Sequence, residues 1–210
     1  QPSQVIISNI YPTHLEKLIN TRNVAIEKSD IFNKKYNKKV KLVILPDYNE
    51  DENFIVKSAL KRNINKIITF GDKKNSNFII HKISKITNFK YKVCIKYNNK
   101  LINFKINRNQ IHRINNLIIC LSFFIYNKIN LKSFYSLTEN IPLIEGRGLE
   151  VKILYNNKKL KLIDESYNAS PQTMKTCIDY FDNLKIKRKQ KKFLILGEMQ
   201  ELGEVSLKFH

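Results

Sequence analysis

The chain has 210 residues, a formal net charge of +20, a hydrophobic fraction of 42% and a charged fraction of 27%. That composition is globular rather than disordered, and the length allows one large domain or two smaller ones. The longest apolar stretch, Leu117 to Tyr126, is broken by Ser122 and is far short of the roughly 18 residues that a membrane-spanning helix needs.

No charged segment followed by an apolar core and a cleavage site opens the chain, so no signal peptide is expected and the location is read as cytoplasmic. The chain begins at Gln1 rather than Met and ends within a pattern. It is therefore expected to be an excerpt of a longer protein. Cys94, Cys120 and Cys177 are far apart, lie in apolar-periodic segments and make no metal spacing. They are read as buried free thiols in a reducing compartment.

The net charge raises nucleic-acid binding as a class. Against it, Lys, Asn and Ile are used heavily everywhere, as A+T-rich coding would produce, and the lysines are spread along the chain. The one dense run, Lys185 to Lys192, fills a helix-to-strand loop. There is no zinc-finger spacing and no basic helix with heptads, so nucleic acid is not the expected main partner.

In chain order, Val5 to Ser8 reads as a short buried strand, followed by a polar turn with Pro12. Thr21 can cap a helix running to about Lys35. Val40 to Leu45 is a second strand, Asp51 to Arg62 a helix and Lys66 to Phe70 a third strand. This alternation is the α/β signature. Phe78 to Ile86, Tyr91 to Tyr97 and Leu101 to Ile106 then alternate with period two, and Asn98-Asn99 suits a hairpin turn.

A long helix follows from about Gln110 to Asn127, with Ile114, Leu117, Ile118, Leu121 and Ile125 as its apolar stripe. The Gly- and Pro-rich loop from Pro142 to Gly148 is the candidate domain boundary. Beyond it come a hairpin (Leu149 to Leu154 and Lys159 to Ile163, turning at Asn156-Asn157), a helix, and a strand from Phe193 to Leu196. Strand, helix, strand at this spacing reads as a βαβ unit with parallel pairing. No internal repeat is present.

Several constellations could carry chemistry. The strand ending at Ile163 runs into Asp164-Glu165-Ser166-Tyr167-Asn168. Ser170 is a good N-cap and Pro171 a good first helical residue. A polar loop between a strand end and a helix start is where open α/β sheets bind ligands. The next expected strand also ends in polar residues, Gly197-Glu198-Met199-Gln200-Glu201, but ordinary turn and capping residues would look the same. On the helix after Thr21, Lys28 shares a face with Val24 and Ile31 or Phe32. An inward lysine is costly unless it snorkels to water or serves a phosphate site. His112 and Asn116 lie one turn apart on the polar side of the long helix, and His14 follows the first strand. The five glycines do not form a G-x-x-x-x-G-K-[ST] loop, so spacing alone names no activity.

Four segments, in order, resemble the Mur ligases, and within them the branch that adds D-alanyl-D-alanine. Asn9-Ile10-Tyr11-Pro12-Thr13-His14-Leu15-Glu16 looks like N-I-G-P-A-H-L-E. Val24-Ala25-Ile26-Glu27-Lys28-Ser29-Asp30-Ile31-Phe32 is similar to V-A-x-A-K-x-E-I-F. Asp164 to Met174 resembles D-D-S-Y-N-A-N-P-x-S-M, and its S-Y-N-A element is the most specific. Leu196-Gly197-Glu198-Met199-Gln200-Glu201-Leu202-Gly203 resembles L-G-D-M-x-E-L-G, and His210 falls where the family has a following histidine.

The resemblance implies an α/β fold: residues 1–143 as a partial central ATPase-type domain (mixed sheet with helices) lacking the P-loop, and 144–210 as the start of a Rossmann-like C-terminal domain. It implies an ATP-dependent ligase that adds D-alanyl-D-alanine to UDP-N-acetylmuramoyl-tripeptide through an acyl phosphate, in peptidoglycan synthesis, with ATP and Mg²⁺ as cofactors. A monomer without membrane insertion is expected. By the same resemblance, Lys28 is the carbamylated lysine that holds Mg²⁺, and His14 lies near a second Mg²⁺. His112 and Asn116 contact the adenine end of ATP, and Arg147 lies near its phosphates. Glu165 and Asn168, with Ser166, Tyr167 and Glu198, face nucleotide and incoming dipeptide.

The sequence departs from the pattern in places. Glu165 and Glu198 replace aspartates, Gln110 and Arg113 replace a glycine and an asparagine around His112, Leu45-Pro46-Asp47 replaces N-A-D, and Ser170 replaces an asparagine. The family's P-loop, an acidic Mg²⁺ ligand and a UDP-gripping domain would all precede Gln1, so the excerpt by itself is expected to be inactive. Two alternatives remain open: another amide ligase of the superfamily, of folylpolyglutamate or cyanophycin type, and a non-catalytic basic relative that binds nucleic acid.

Overall fold

The computed structural model describes residues 1–33, 35, 37–141 and 144–210. Pro142 and Leu143, on which the expected boundary loop starts, lie outside the described residues. The chain divides into two compact units, one of residues 1–10 and 21–141, the other of residues 11–20 and 142–210. Tyr11–Asn20, which carries His14, groups with the second unit.

The first unit is a six-stranded mixed sheet in sequential order: β1 (Gln4–Ile6), β2 (Leu42–Pro46), β3 (Lys66–Gly71), β4 (Phe78–Lys85), β5 (Lys90–Tyr97) and β6 (Lys100–Asn107). β1 to β4 run parallel; β4, β5 and β6 are antiparallel neighbours. β2 is buried at all five positions, as expected for a parallel strand covered on both faces. The crossovers are α2 (Thr21–Ser29), which ends in a 3-10 turn, Asp30–Phe32, and α3 (Glu50–Lys61). The sequence expectation ran the first helix to about Lys35; the structure ends it at Ser29 and tightens the last turn. Thr21 does not cap it. Its hydroxyl donates to Asp51 Oδ2 at 2.5 Å, which leaves no cap in that side chain.

β3 and β4 meet in parallel over two residue pairs only. Between them the chain steps sideways, and Thr69 and Asn77 hold the step. The Thr69 N–H donates to Asn77 Oδ1 at 2.8 Å, and the Asn77 N–H donates to Thr69 Oγ1 at 3.1 Å. Gly71 is required where β3 ends: a Cβ there would lie 2.5 Å from the Asp47 carbonyl oxygen.

α4 (Ile114–Tyr126) follows a 3-10 turn, Arg108–Arg113, and buries Ile114, Leu117, Ile118 and Leu121 against the sheet, with Ile125 packed partly against them. Cys120 projects away from that stripe and is exposed, contrary to the expectation of a buried thiol. Cys94 is buried, Cys177 half-buried, and all three are free. α5 (Leu131–Glu139) was not expected from the sequence. Asn130 caps it, and Phe134 plugs it into the core edge-on against Phe104, with ring centroids 5.3 Å apart.

In the second unit, α1 (Leu15–Leu18) is a single turn. β7 (Leu149–Tyr155) and β8 (Lys158–Asp164) form an antiparallel hairpin, and Asn156 and Asn157 both take positive φ. That is the demand of a two-residue hairpin turn whose twist matches its strands. α6 (Pro171–Asp182) starts with Ser170 as cap and Pro171 in its first turn, and α7 (Ser206–Phe209) is short. Lys192 donates to the carbonyls of Phe181, Asp182 and Leu184 at 3.1, 2.6 and 3.4 Å, satisfying acceptors that a helix C-terminus leaves open.

The expected strand Phe193–Leu196 does not form. A strand exists through a ladder, and these residues pair with nothing in the sheet order; Phe193 and Ile195 are 78% and 93% exposed. A groove lies between them and β8, so the parallel βαβ pairing is corrected to a hairpin, a helix and an extended segment. Among the described residues no helix is long and apolar enough to cross a membrane.

Candidate active site

The first unit gathers polar groups where β1 and β2 end. α2 places Val24 and Phe32 in the core with Lys28 on the same face, half-buried. The Lys28 ammonium donates to the Asn9 carbonyl at 3.0 Å, just beyond β1. Partial burial lowers its pKa, and the neighbouring Glu52 carboxylate opposes that. Glu52 is 2% exposed. Its two oxygens accept the Ile10 N–H at 3.3 Å and the Tyr48 N–H at 2.9 Å. Burial raises its pKa, the backbone N–H groups of Tyr48, Ile10 and Asn49 pull it back, and the Asp47 charge raises it again. One carboxylate therefore ties together the loops after β1 and β2 and faces the inward lysine.

Tyr48 extends the cluster to α4, because its hydroxyl donates to Asn115 Oδ1 at 2.6 Å. Asp47 accepts from Lys73 Nζ at 2.8 Å and from Asn53 Nδ2 at 3.4 Å. His112 lies in the 3-10 turn before α4 rather than on the helix, and Asn116 is exposed on its first turn. Crowding around the imidazole and the adjacent Arg113 cation push His112 down to about 4. Arg113 Nε donates to His112 Nε2 at 3.1 Å, which requires that nitrogen to be unprotonated. Gln110, where the family has glycine, is buried and caps this turn by accepting the Asn107 N–H at 2.9 Å.

In the second unit, β8 delivers Asp164 to a junction of two loops. Its Oδ2 accepts the Gly146 N–H at 3.0 Å, its Oδ1 accepts the Ser166 N–H at 3.0 Å, and its carbonyl accepts the Gly148 N–H at 2.7 Å. Hydrogen bonds from Ser166 and Gly146 hold its carboxyl below the usual range. The Tyr167 N–H donates to the Gly146 carbonyl at 3.1 Å, and the Arg147 guanidinium lies 3.9 Å above the Tyr167 ring centroid.

A groove of about 830 Å³ runs between β8, α6 and residues 193–201. Glu165, Ser166, Asn168, Glu198 and Glu201 all line it, so the two polar loops singled out from the sequence share one cavity. Glu165 also acts on Cys177, whose thiol burial and that charge push up to about 11. His14 starts α1 in a left-handed conformation and pairs with Glu201 through Nδ1. Met199 N–H donates to His210 Nε2 at 2.9 Å, folding the 197–203 segment back on the chain end.

The expected residues thus fall in two groups: Lys28, His112 and Asn116 in the first unit, and His14, Arg147, Glu165, Ser166, Tyr167, Asn168 and Glu198 in the second. Glu52, Tyr48 and Asn115 were not singled out from the sequence. Glu52 stands three residues after Asn49, the position of a capping glutamate, and that is the only signal it gave.

A divalent cation has no ready-made protein site: among the described residues, no three His, Cys, Asp or Glu converge to hold one. The Lys28 ammonium itself would repel one. The fit rests on Lys28 chemistry. A lowered pKa favours the free amine. Were that amine to add CO2 and release a proton, the carbamate would be an anion near Glu52, and a cation there would meet two negative groups.

Residues 1–123 match the Mur ligase middle domain. Over its whole length the chain is 30% identical to the UDP-N-acetylmuramoyl-tripeptide–D-alanyl-D-alanine ligase of Rickettsia prowazekii and 28% identical to the ligase of that name from Buchnera aphidicola, covering 44% of each. In fold it resembles MurF of Acinetobacter baumannii, with a TM-score of 0.77 at 18% identity over all of this chain and 43% of that one. The chain therefore spans less than half the length of the relatives it matches. The mixed sheet and the extent of the match over its first 123 residues make this chain a member of the Mur ligase family.

Proposed function

We propose that the chain carries part of the machinery of an ATP-dependent ligase that joins D-alanyl-D-alanine to UDP-N-acetylmuramoyl-tripeptide in peptidoglycan synthesis. The observation that carries this reading is the 30% identity that runs through both units to a ligase of that name. The groove supports it, since the Ser166–Asn168 loop and Glu198 line one cavity.

In this reading the tripeptide's terminal carboxylate attacks the γ-phosphorus of ATP and ADP leaves. The dipeptide amine then attacks the acyl carbon, gives up a proton, and phosphate departs with the electrons of the C–O bond. His112, unprotonated, and Asn116 offer polar groups to the adenine end. Arg147 offers a planar cation to phosphate oxygens. The carboxylates of Glu165 and Glu198 suit the dipeptide's ammonium and the proton it releases, and Ser166, Tyr167 and Asn168 orient it. Lys28 as its carbamate would hold one Mg²⁺, which would neutralise charge on the transferring phosphoryl group, and His14 would lie near a second.

The test is to express the open reading frame containing these residues and follow phosphate release and product mass. Release that requires ATP, UDP-N-acetylmuramoyl-tripeptide and D-alanyl-D-alanine together is the expected result. Turnover with glutamate or aspartate as acceptor amine would move the protein to another branch of the superfamily. Absence of turnover with salt-sensitive RNA or DNA binding would replace the enzyme reading by the basic-scaffold one.

A further inference from the structure

Asp164 has a place that the reading above gives no role. It is the last residue of β8, and its carboxylate joins two loops that are 18 residues apart in sequence. One oxygen takes the Gly146 N–H, the other the Ser166 N–H, both at 3.0 Å. The two loops are joined again by the Tyr167 N–H on the Gly146 carbonyl at 3.1 Å. Between these bonds the Arg147 guanidinium stacks on the Tyr167 ring at 3.9 Å.

The fit is close. Gly146 has φ +70, and a Cβ on it would meet the Tyr167 backbone nitrogen and Cβ, each at 3.0 Å. The turn therefore presses directly on the base of the tyrosine, and a displacement of one loop is transmitted to the other. Neither Arg147 nor Tyr167 is held by deep burial; Tyr167 is 66% exposed. An exposed cation–ring pair is worth only about 0.5–1 kcal/mol, too little to fix a long, rotamer-rich side chain by itself. Asp164 also holds the backbone on both sides of Arg147: its carboxylate takes the Gly146 N–H and its carbonyl the Gly148 N–H.

We propose that Asp164 is a positioning residue: by clamping the Gly146–Gly148 turn to the Ser166–Asn168 loop, its carboxylate fixes Arg147 on the face of Tyr167 and so sets the direction of a cation intended for an anionic ligand. The inference rests on the assignment of Arg147 to the ATP phosphates for the identity of that ligand, but not for the clamp.

Side-chain NMR of the isotopically labelled 210-residue chain separates the two. The Arg147 Hδ and Nε–Hε protons lie over the Tyr167 ring and are expected upfield of the other arginines; Tyr167→Leu calibrates that displacement by abolishing it. Asp164→Asn keeps the shape but turns an amide N–H toward one backbone N–H. It is expected to remove most of the displacement while far-UV circular dichroism stays native. Asp164→Glu, which keeps both acceptors, is expected to restore part of it.

ATP is then titrated into the protein expressed from the whole open reading frame that contains these residues, as wild type and as Asp164→Asn. An Arg147 response to ATP that weakens about tenfold in the variant, the scale of one hydrogen bond to a charged group, supports the proposal. Displacement that persists unchanged in Asp164→Asn, or is lost only as the whole chain unfolds, overturns it. A displacement that depends on Asp164 while Arg147 ignores ATP supports the clamp and overturns the nucleotide assignment instead.

Discussion

Replacing Glu52 by alanine tests the cluster at the ends of β1 and β2. The carboxylate is 2% exposed and is the acceptor for the N–H groups of Ile10 and Tyr48. Alanine leaves both donors without that acceptor, at about 1–3 kcal/mol for each buried group, or roughly 2–6 kcal/mol in all. Against this, removing a carboxylate whose burial disfavours its charge returns part of a desolvation cost. The net loss should be about 2–3 kcal/mol, a large share of a typical domain's stability. Glu52→Gln keeps one acceptor and should fall between alanine and wild type.

Urea unfolding of the 210-residue chain measures these losses, provided the m-value is unchanged. The pH dependence gives a second check. Glu52 has a folded pKa raised above its unfolded value. Its contribution is therefore fully present below the ordinary carboxylate range and is lost as pH rises through the raised folded value. The gap between wild type and Glu52→Ala should widen as the pH falls from neutral into that range. A gap under about 1 kcal/mol at neutral pH, the size of a single solvent-compensated hydrogen bond, would rule out this role for Glu52, and so would a gap that narrows on acidification.

Three other measurements follow from the geometry. The imidazole resonances of His112 should titrate near 4, well below the ordinary 6.5. Its depressed folded pKa contributes stability that is present above 6.5 and lost as pH falls toward 4, so His112→Gln should flatten that part of the stability profile. Phe134→Ala removes the fully buried ring that docks α5 against Phe104 and should cost about 3–5 kcal/mol in chemical denaturation. Cys177, pushed up to about 11, should react sluggishly with a chromogenic disulfide at mildly alkaline pH, and Glu165→Gln should speed that reaction by removing the charge that helps raise it. An unchanged rate would mean that Glu165 does not face Cys177.

Features written into adjacent residues were legible in the sequence. Ser170-Pro171 opens α6 where a cap and a first-turn proline should stand, and Asn156-Asn157 turns β7 into β8. The stripe on α4 also reads directly, because Ile114, Leu117, Ile118 and Leu121 recur at helical spacing and are buried together. α5 was missed because it has nine residues and a single fully buried apolar anchor, Phe134, which depends on Phe104 in a distant strand. Phe193–Leu196 misled in the opposite direction: its apolar, β-prone residues satisfy every local criterion for a strand, but pairing is not a local property. Glu52 was invisible for the same reason. Its position suggests a capping glutamate, yet the donor it takes from Ile10 is 42 residues away.

The charge distribution shows why a net charge of +20 need not signal a polyanion partner. Half of the 18 acidic residues fall in three short segments, 47–52, 164–165 and 198–204. At least five of these nine are committed to specific donors: Asp47 to Lys73 and Asn53, Asp51 to Thr21 and Arg22, Glu52 to two backbone N–H groups, Asp164 to two more, and Glu201 to His14. Glu165, Glu198 and Glu201 line the groove. A lysine can replace another polar residue on a solvated face at little cost, but it cannot accept an N–H. Enrichment in lysine can therefore spread over the surface while leaving acids wherever the fold needs an acceptor or the cavity needs a negative group. In such a chain the scarce carboxylates, rather than the abundant cations, mark the strand ends where backbone donors converge.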